Sequence, residues 1–198
     1  MNTVLLSGGL DSAVALALTL TRGGAEALTV DYGQTHSREI EAAAAIADHF
    51  NVRHTVVTIG GLRFDSALTG LGDIPENHAE EPDATYVPGR NTILIALAAS
   101  RAESSGSTRI VLGCNADDAA GYPDCRRDYL EAFRDVLLAG TVNHVWVTAP
   151  LLHMSKAQVV QAAKGLGVPL GLTWSCYRGG AVACGRCGAC QSRQEAGA

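Results

Sequence analysis

No apolar run in this chain is long enough to cross a bilayer. Residues 14–18 and 93–99 fall far short of the ~20 that a helical span requires. No charged and then apolar leader opens it either, because the first residues pass straight into a glycine turn, so no secretory signal is expected. Aromatic residues are scarce, 5% of 198, and acids outnumber bases to give a formal net charge of −5. Such a chain lacks the basic face that grips long nucleic acid, and no direct nucleic-acid partner is expected. Internal repeats are absent. So are the Gly-x4-Gly-Lys-Ser/Thr loop and the Gly-x-Gly-x-x-Gly turn, which removes two familiar nucleotide signatures. These absences leave a soluble, cytoplasmic protein with no membrane attachment.

What is present is an apolar fraction of 47%, rich in alanine and glycine, suited to helices packed closely on a sheet. Strand-like runs at 3–6, 27–31, 54–58, 109–113 and 145–148 alternate with helical patterns at 12–21, 37–50, 91–104, 124–139 and 155–166. That alternation predicts an α/β fold, a doubly wound and mostly parallel sheet. Gly23-Gly24 and Gly165 read as helix stops, and Ser37 and Ser155 as N-terminal caps. The stretch 60–89, mixed in Gly, Pro, Asp and Glu, reads as a loop or lid.

The most informative segment is Ser7-Gly-Gly-Leu-Asp-Ser12, between the first strand and the first helix. Adjacent glycines let the backbone turn tightly and meet a ligand with no Cβ in the way. The helix behind them aims unpaired N–H groups and its positive dipole end at the turn, and Ser7 and Ser12 add hydroxyls. The expected ligand is a polyphosphate, the pyrophosphate end of ATP. In an open parallel sheet the ligand lies at the carboxyl ends of the strands. That geometry brings Val30 and Tyr32, and the turn 113–126, to the same crevice.

Six cysteines are unevenly spread: Cys114 and Cys125 stand apart, while Cys176, Cys184, Cys187 and Cys190 crowd the end. Glycines between the four allow the turns that wrapping an ion demands. Four thiolates with no open position describe a closed structural zinc site, with an iron–sulfur cluster as the rival. Cys114 and Cys125 read as small buried residues, since no activating partner is visible.

Further segments narrow the reading. They are Asp31-Tyr-Gly-Gln-Thr-His36, Val87-Pro-Gly-Arg-Asn91, Asn115-Ala-Asp-Asp118, Gly121-Tyr-Pro-Asp-Cys-Arg126 and the tail from Ser175 to Cys190. With the serine–glycine turn they resemble the 7-cyano-7-deazaguanine synthase family of PP-loop, N-type ATP pyrophosphatases, from residue 3 to about residue 193.

The resemblance implies an adenine nucleotide alpha hydrolase-like domain over 1–170, a zinc-binding segment over 171–198, and a homodimer. It implies a ligase that joins ammonia to 7-carboxy-7-deazaguanine at the expense of ATP, with Mg²⁺ at the phosphates. ATP would lie against Leu6, Ser7, Gly8, Gly9, Leu10, Asp11, Ser12, Ala13, Val14, Ala15 and Leu16, with Val30 and Tyr32. Asp11, Asp118 and Lys156 would carry the catalysis, the two acids at Mg²⁺ or ammonia and the lysine at a phosphate. Arg90, Asn91, Tyr122, Asp124 and Arg126 would bind the deazapurine acid, and His36 would serve as a structural or phosphate-side donor. Plainer roles stay open: Asp11 or Asp118 as a cap, Lys156 as a surface lysine, and Arg90 or Arg126 paired with an acid such as Asp124.

Three departures stand out. Thr35 replaces an arginine usual in the family, Ala13 and Val14 replace hydroxyl residues, and the usual Gly-Phe does not follow Arg193. Two other readings compete. A thiolase acting on a tRNA base would want a basic face and a persulfide cysteine. A non-catalytic nucleotide sensor has no use for Asp11, Asp118 and Lys156 together.

Overall fold

Every strand of the sheet owes its place to an apolar run bounded by turn residues. The computed structural model describes residues 1–35, 38–60, 64–76 and 84–198. Strands β1 (Asn2–Leu5), β2 (Ala25–Asp31), β3 (His54–Thr58), β4 (Arg109–Val111) and β5 (Trp146–Thr148) lie parallel in the order β3-β2-β1-β4-β5. In register, Val4 faces Ala27 on one side and Val111 on the other. The strand order reverses between β1 and β4, which places the crevice of an open parallel sheet at their carboxyl ends.

Alternate residues of each strand serve opposite faces, as period-two geometry requires. Val4, Leu6, Ala27 and Val111 join one core with helices α1 (Leu10–Leu20), α2 (Arg38–His49) and α6 (Lys156–Gly165). Leu5, Leu28, Val30, Ile110, Leu112 and Val147 join the other, with α3 (Arg90–Ser105) and α5 (Arg127–Gly140). Central α1 is buried nearly all round, Ala13, Val14, Ala15 and Leu16 having no exposed surface. Its small side chains bring it so near the sheet that a Cβ at Gly113 would stand 2.7 Å from Ser12 N. Gly113 is thereby obligatory where β4 runs out beside the first turn of α1. Burying a Leu such as Leu16 contributes roughly 1.5–3 kcal/mol.

All five expected strands are present, and the fold class is the one the alternation predicts. Ser155 caps α6 as expected, in a reciprocal box with Gln158. The stop is different: Gly165 stays helical, and Gly167 two residues on takes the left-handed conformation, φ +69°. Two short helices were not foreseen, α4 (Ala116–Gly121) and α7 (Gly188–Glu195). Each is too short and too polar to show periodicity. The described parts of 60–89 hold a 3₁₀ turn over Ala67–Thr69, capped by Ser66, and helical residues at 84 and 85. His36 and Ser37 lie outside the described residues.

Candidate active site

The phosphate turn is built by constraint on Gly8. Its φ is +91°, and a Cβ there would fall 2.1 Å from the Glu39 carbonyl oxygen, so only glycine fits. The serines on either side tie the turn to itself. Ser12 Oγ donates to Gly9 O at 2.9 Å and accepts the Ser7 N–H at 3.2 Å. Gly9 N–H donates to Ser7 Oγ at 3.3 Å, and the two hydroxyls meet at 3.1 Å. Before any ligand arrives, then, these hydroxyls hold the shape of the turn. No side chain caps the N-terminus of α1 among the described residues, which leaves its first N–H groups to an anion.

Lys156 opens α6, and its Nζ meets Asp11 Oδ2 at 2.6 Å. Asn115 holds the other side of this pair: its Nδ2 donates to Asp11 Oδ1 at 3.2 Å, while its N–H donates to Asp118 Oδ2 at 3.1 Å. Asn115 Oδ1 accepts from the N–H groups of Asp117 and Asp118, completing the capping box of α4. One asparagine therefore spaces the two acids. Burial, followed by the nearby negative charge of Asp11, pushes the Asp118 carboxyl up to about 6, even though Asn115, Lys156 and Arg90 pull it down.

Across the crevice, α3 starts at Arg90 after Gly89 in a left-handed turn, φ +63°. Arg90 Nη1 donates to the Tyr32 hydroxyl at 3.4 Å. Tyr122 lies 3.0 Å from the Thr85 hydroxyl and stacks with Tyr86 at 6.3 Å between centroids. Asn91 and Asp124 bind each other: Asp124 Oδ2 accepts the Asn91 N–H and Asp124 O accepts Asn91 Nδ2, both at 3.0 Å. Asp124 thus caps α3 from a distant turn. Asn91 Nδ2 also reaches Cys125 Sγ at 3.3 Å. Hydrogen bonding with Cys125, then burial, pushes the Cys114 thiol up, so Cys114 is not set up as a nucleophile.

These groups surround one cavity of about 860 Å³, at the upper end of small-ligand sites. Ser7, Gly9, Asp11, Ser12 and Lys156 line it, together with Arg90, Asn91 and Tyr122. Asp118, Leu6, Leu10, Val30 and Tyr32 also face it. Gly8, Ala13, Val14, Ala15, Leu16 and Asp124 stand behind the wall, because α1 runs away from the cavity into the core and Asp124 turns to α3. Arg126 is exposed at the start of α5, outside the lining. Thr35 hydrogen-bonds to Leu68 O at 3.0 Å, anchoring the loop there.

The tail also lines the cavity, through Trp174, Ser175, Tyr177 and Ala189. Cys176, Cys184, Cys187 and Cys190 place their sulfurs within 4.8 Å of one another, Cys184 and Cys190 at 4.0 Å. Thiolates at ~2.3 Å from one tetrahedral ion stand about 3.8 Å apart, so this set fits a single ion. A four-iron cluster binds its thiolates on separate irons and needs them spread wider. Main-chain N–H groups of Arg186 and Cys187 donate to Cys184 Sγ at 3.4 and 3.3 Å. Burial works to raise that thiol, but these donors outweigh it and hold it down at about 6.

Sequence reasoning gave no role to Asn115, although its segment was singled out, nor to Arg38, Trp174 and Arg193. Asn115 had a signal, the Asn-x-x-Asp spacing of a cap. Arg193 had none; its guanidinium secures the approach to the cysteines through Leu170 O at 2.6 Å and Thr173 Oγ1 at 2.7 Å.

With the geometry in view, comparison with known proteins is informative. Residues 2–198 match the family described as queuosine biosynthesis protein QueC. A 7-cyano-7-deazaguanine synthase of Synechococcus sp. (strain CC9902) is 48% identical, with 97% of this chain and 90% of the relative covered. One from Thermoplasma acidophilum is 43% identical over 96% and 84%. Among solved structures, an NH3-dependent NAD synthetase from Campylobacter jejuni is similar at TM-score 0.52 and 16% identity, covering 86% of this chain and 66% of that one. A U34-tRNA thiolase from Methanococcus maripaludis, bearing its [4Fe-4S] cluster, is similar at TM-score 0.54 and 20% identity, covering 85% and 56%. At such identities these two structures speak for the fold alone.

Proposed function

The chain belongs to the family of queuosine biosynthesis protein QueC, and from that membership we propose an ATP-dependent ligase that converts 7-carboxy-7-deazaguanine and ammonia into 7-cyano-7-deazaguanine through an adenylated intermediate. The observation that carries the reading is one cavity lined by the phosphate turn and Lys156 together with Arg90, Asn91 and Tyr122.

A carboxylate is a poor electrophile, so one oxygen must become a leaving group. That oxygen attacks the α-phosphorus, the bond to the bridging oxygen breaks, and pyrophosphate departs. Charge on the departing group falls to the free N–H groups of α1 and to Lys156 Nζ, which turns from Asp11 to phosphate. Ammonia then attacks the acyl carbon and expels AMP, leaving the amide. A second ATP activates the amide oxygen, and loss of AMP with the remaining N–H protons forms the nitrile. We assign Asp118 to accept these protons, a role its raised proton affinity suits near neutral pH.

Arg90 is assigned to the substrate carboxylate and Tyr122 to the face of the deazapurine. Asn91 and Asp124 shape that part of the site through each other. Mg²⁺, held by Asp11, would neutralise phosphate charge when bound. We assign Zn²⁺ to the four cysteines as a structural ion, on the compact spacing of their sulfurs. The same reading takes the enzyme as a cytoplasmic homodimer acting on small molecules, with no direct nucleic-acid contact. No helix among the described residues is long and apolar enough to cross a membrane.

Mass spectrometry of the products from ATP, ammonium and 7-carboxy-7-deazaguanine tests the reading. The nitrile is expected, with AMP. ATP turnover with the acid recovered unchanged would overturn it.

A further inference from the structure

Arg38 opens α2, outside every motif singled out from the sequence, and it touches the metal-ligating segment. Its Nη1 donates to Ala181 O at 2.7 Å, within the turn between Cys176 and Cys184. Its guanidinium carbon stands 5.1 Å from the centroid of the Trp174 ring. The residue after it, Glu39, supplies the carbonyl against which Gly8 is packed. Trp174 donates its main-chain N–H to Gly8 O at 2.9 Å and its ring N–H to Cys176 O at 2.9 Å. Gly8 is therefore held from two sides, by α2 and by a residue two positions before the first ligating cysteine.

Resting on the ATP-binding part of the proposed function, we propose that Arg38 and Trp174 are positioning residues that link metal at the four cysteines to the grip of the phosphate turn on ATP. The tail between residues 176 and 190 is glycine-rich, with left-handed turns at Gly179 and Gly185. An ion bound by four thiolates fixes that segment, and with it the carbonyls of Ala181 and Cys176. Those acceptors orient Arg38 and Trp174. Trp174 then holds the Gly8 carbonyl, and so the plane of the Gly8–Gly9 peptide that leads into the first turn of α1. Without the ion, ATP must itself order this junction, and affinity falls by the cost of that ordering. Linkage is reciprocal, so ATP must strengthen metal retention by the same factor.

The experiment uses the full chain, zinc-loaded or stripped by chelator under reducing conditions, with circular dichroism to verify the fold. Calorimetry measures binding of α,β-methylene-ATP with Mg²⁺. Stripping wild type should weaken binding about tenfold, within the usual range of such couplings. Zinc-loaded Arg38→Ala should keep its zinc, bind the analogue about tenfold more weakly, and lose most of the remaining metal dependence. Arg38→Lys, which keeps the charge without the planar stack, should fall between. In wild type the analogue should raise zinc retention against a competing chelator by the same factor, and in Arg38→Ala it should not. KM for ATP should rise in Arg38→Ala while KM for the acid substrate holds. Equal analogue affinity in loaded and stripped wild type overturns the proposal, as does an Arg38→Ala protein with full metal dependence. Should stripped wild type unfold, unchanged analogue affinity in zinc-loaded Arg38→Ala overturns it. Absence of nitrile with this linkage intact would count against the ligase reading alone.

Discussion

Replacing Gly8 by alanine puts the account of the phosphate turn at greatest risk. The added Cβ would stand 2.1 Å from Glu39 O and 2.9 Å from Ala43 N, both main-chain atoms that cannot swing aside. Ordinary contact begins at 3.4 Å, so the turn or α2 must move by about 1.3 Å. The left-handed backbone at φ +91° adds a penalty for any L side chain, about 1–2 kcal/mol. A displacement of about 1 Å at reacting groups can cost ~100-fold, or ~2.7 kcal/mol of transition-state stabilisation. Gly8→Ala should therefore lower kcat/KM for ATP by about that factor, read from AMP release against ATP concentration. Gly9→Ala is the matched control: its φ is −77° and its Cβ would meet Ser7 Oγ at 3.4 Å and Trp174 O at 3.7 Å. That variant should melt with wild type. A Gly8→Ala enzyme within threefold of wild type, at equal stability, would refute the reasoning.

Asp118 supplies a pH test. Because its carboxyl is raised from 3.8 to about 6, the folded state takes up a proton over that window. The stability this brings is complete below about pH 4 and is lost as pH rises through 6. Asp118→Asn should accordingly raise the melting temperature at pH 7.5 relative to wild type, with little change at pH 4, while nitrile formation collapses. Lys156→Met removes the positive neighbour of both acids, so the acid limb of the pH–rate profile should move upward while KM for ATP rises. Glu26 behaves oppositely. Burial works to raise it, but hydrogen bonds from Arg101 at 2.5 Å, Ser105 at 2.6 Å and Thr3 at 3.1 Å outweigh that and depress it. Its contribution is present above its unfolded value near 4.5 and fades as pH falls, so Glu26→Ala should cost about 3 kcal/mol at pH 7 by denaturant titration, and less at pH 4. Leu16→Ala, which empties a wholly buried site between α1 and the sheet, should cost about 2–5 kcal/mol in the same assay.

Local pattern was enough for much of this molecule. Strand runs bounded by glycine and polar turns announced all five strands; the central ones feed both cores and so read as largely apolar runs, while edge strand β3 leaves Val56 exposed. The glycine–serine turn was legible because its chemistry lies within six consecutive residues, Ser7 to Ser12. The cysteine set was legible for the same reason, its ligands falling within one short segment at the end of the chain. Helices α4 and α7 were not legible: one turn or two of polar residues held by caps and by neighbours leaves no period to read.

Contacts between distant segments were beyond reach. That Lys156 meets Asp11 across 145 positions, that Asn115 spaces Asp11 from Asp118, and that Asp124 turns to α3 depend on where helices pack. Sequence by itself settled which chemical groups this protein owns and which short stretches must turn, extend or coil, because those follow from neighbours along the backbone. Tertiary structure alone decided which groups share a cavity, which are walled off behind α1, and that Arg38 and Trp174 lean on the phosphate turn. Such meetings are fixed by the packing of two cores against one sheet, and no residue carries that information in its own neighbourhood.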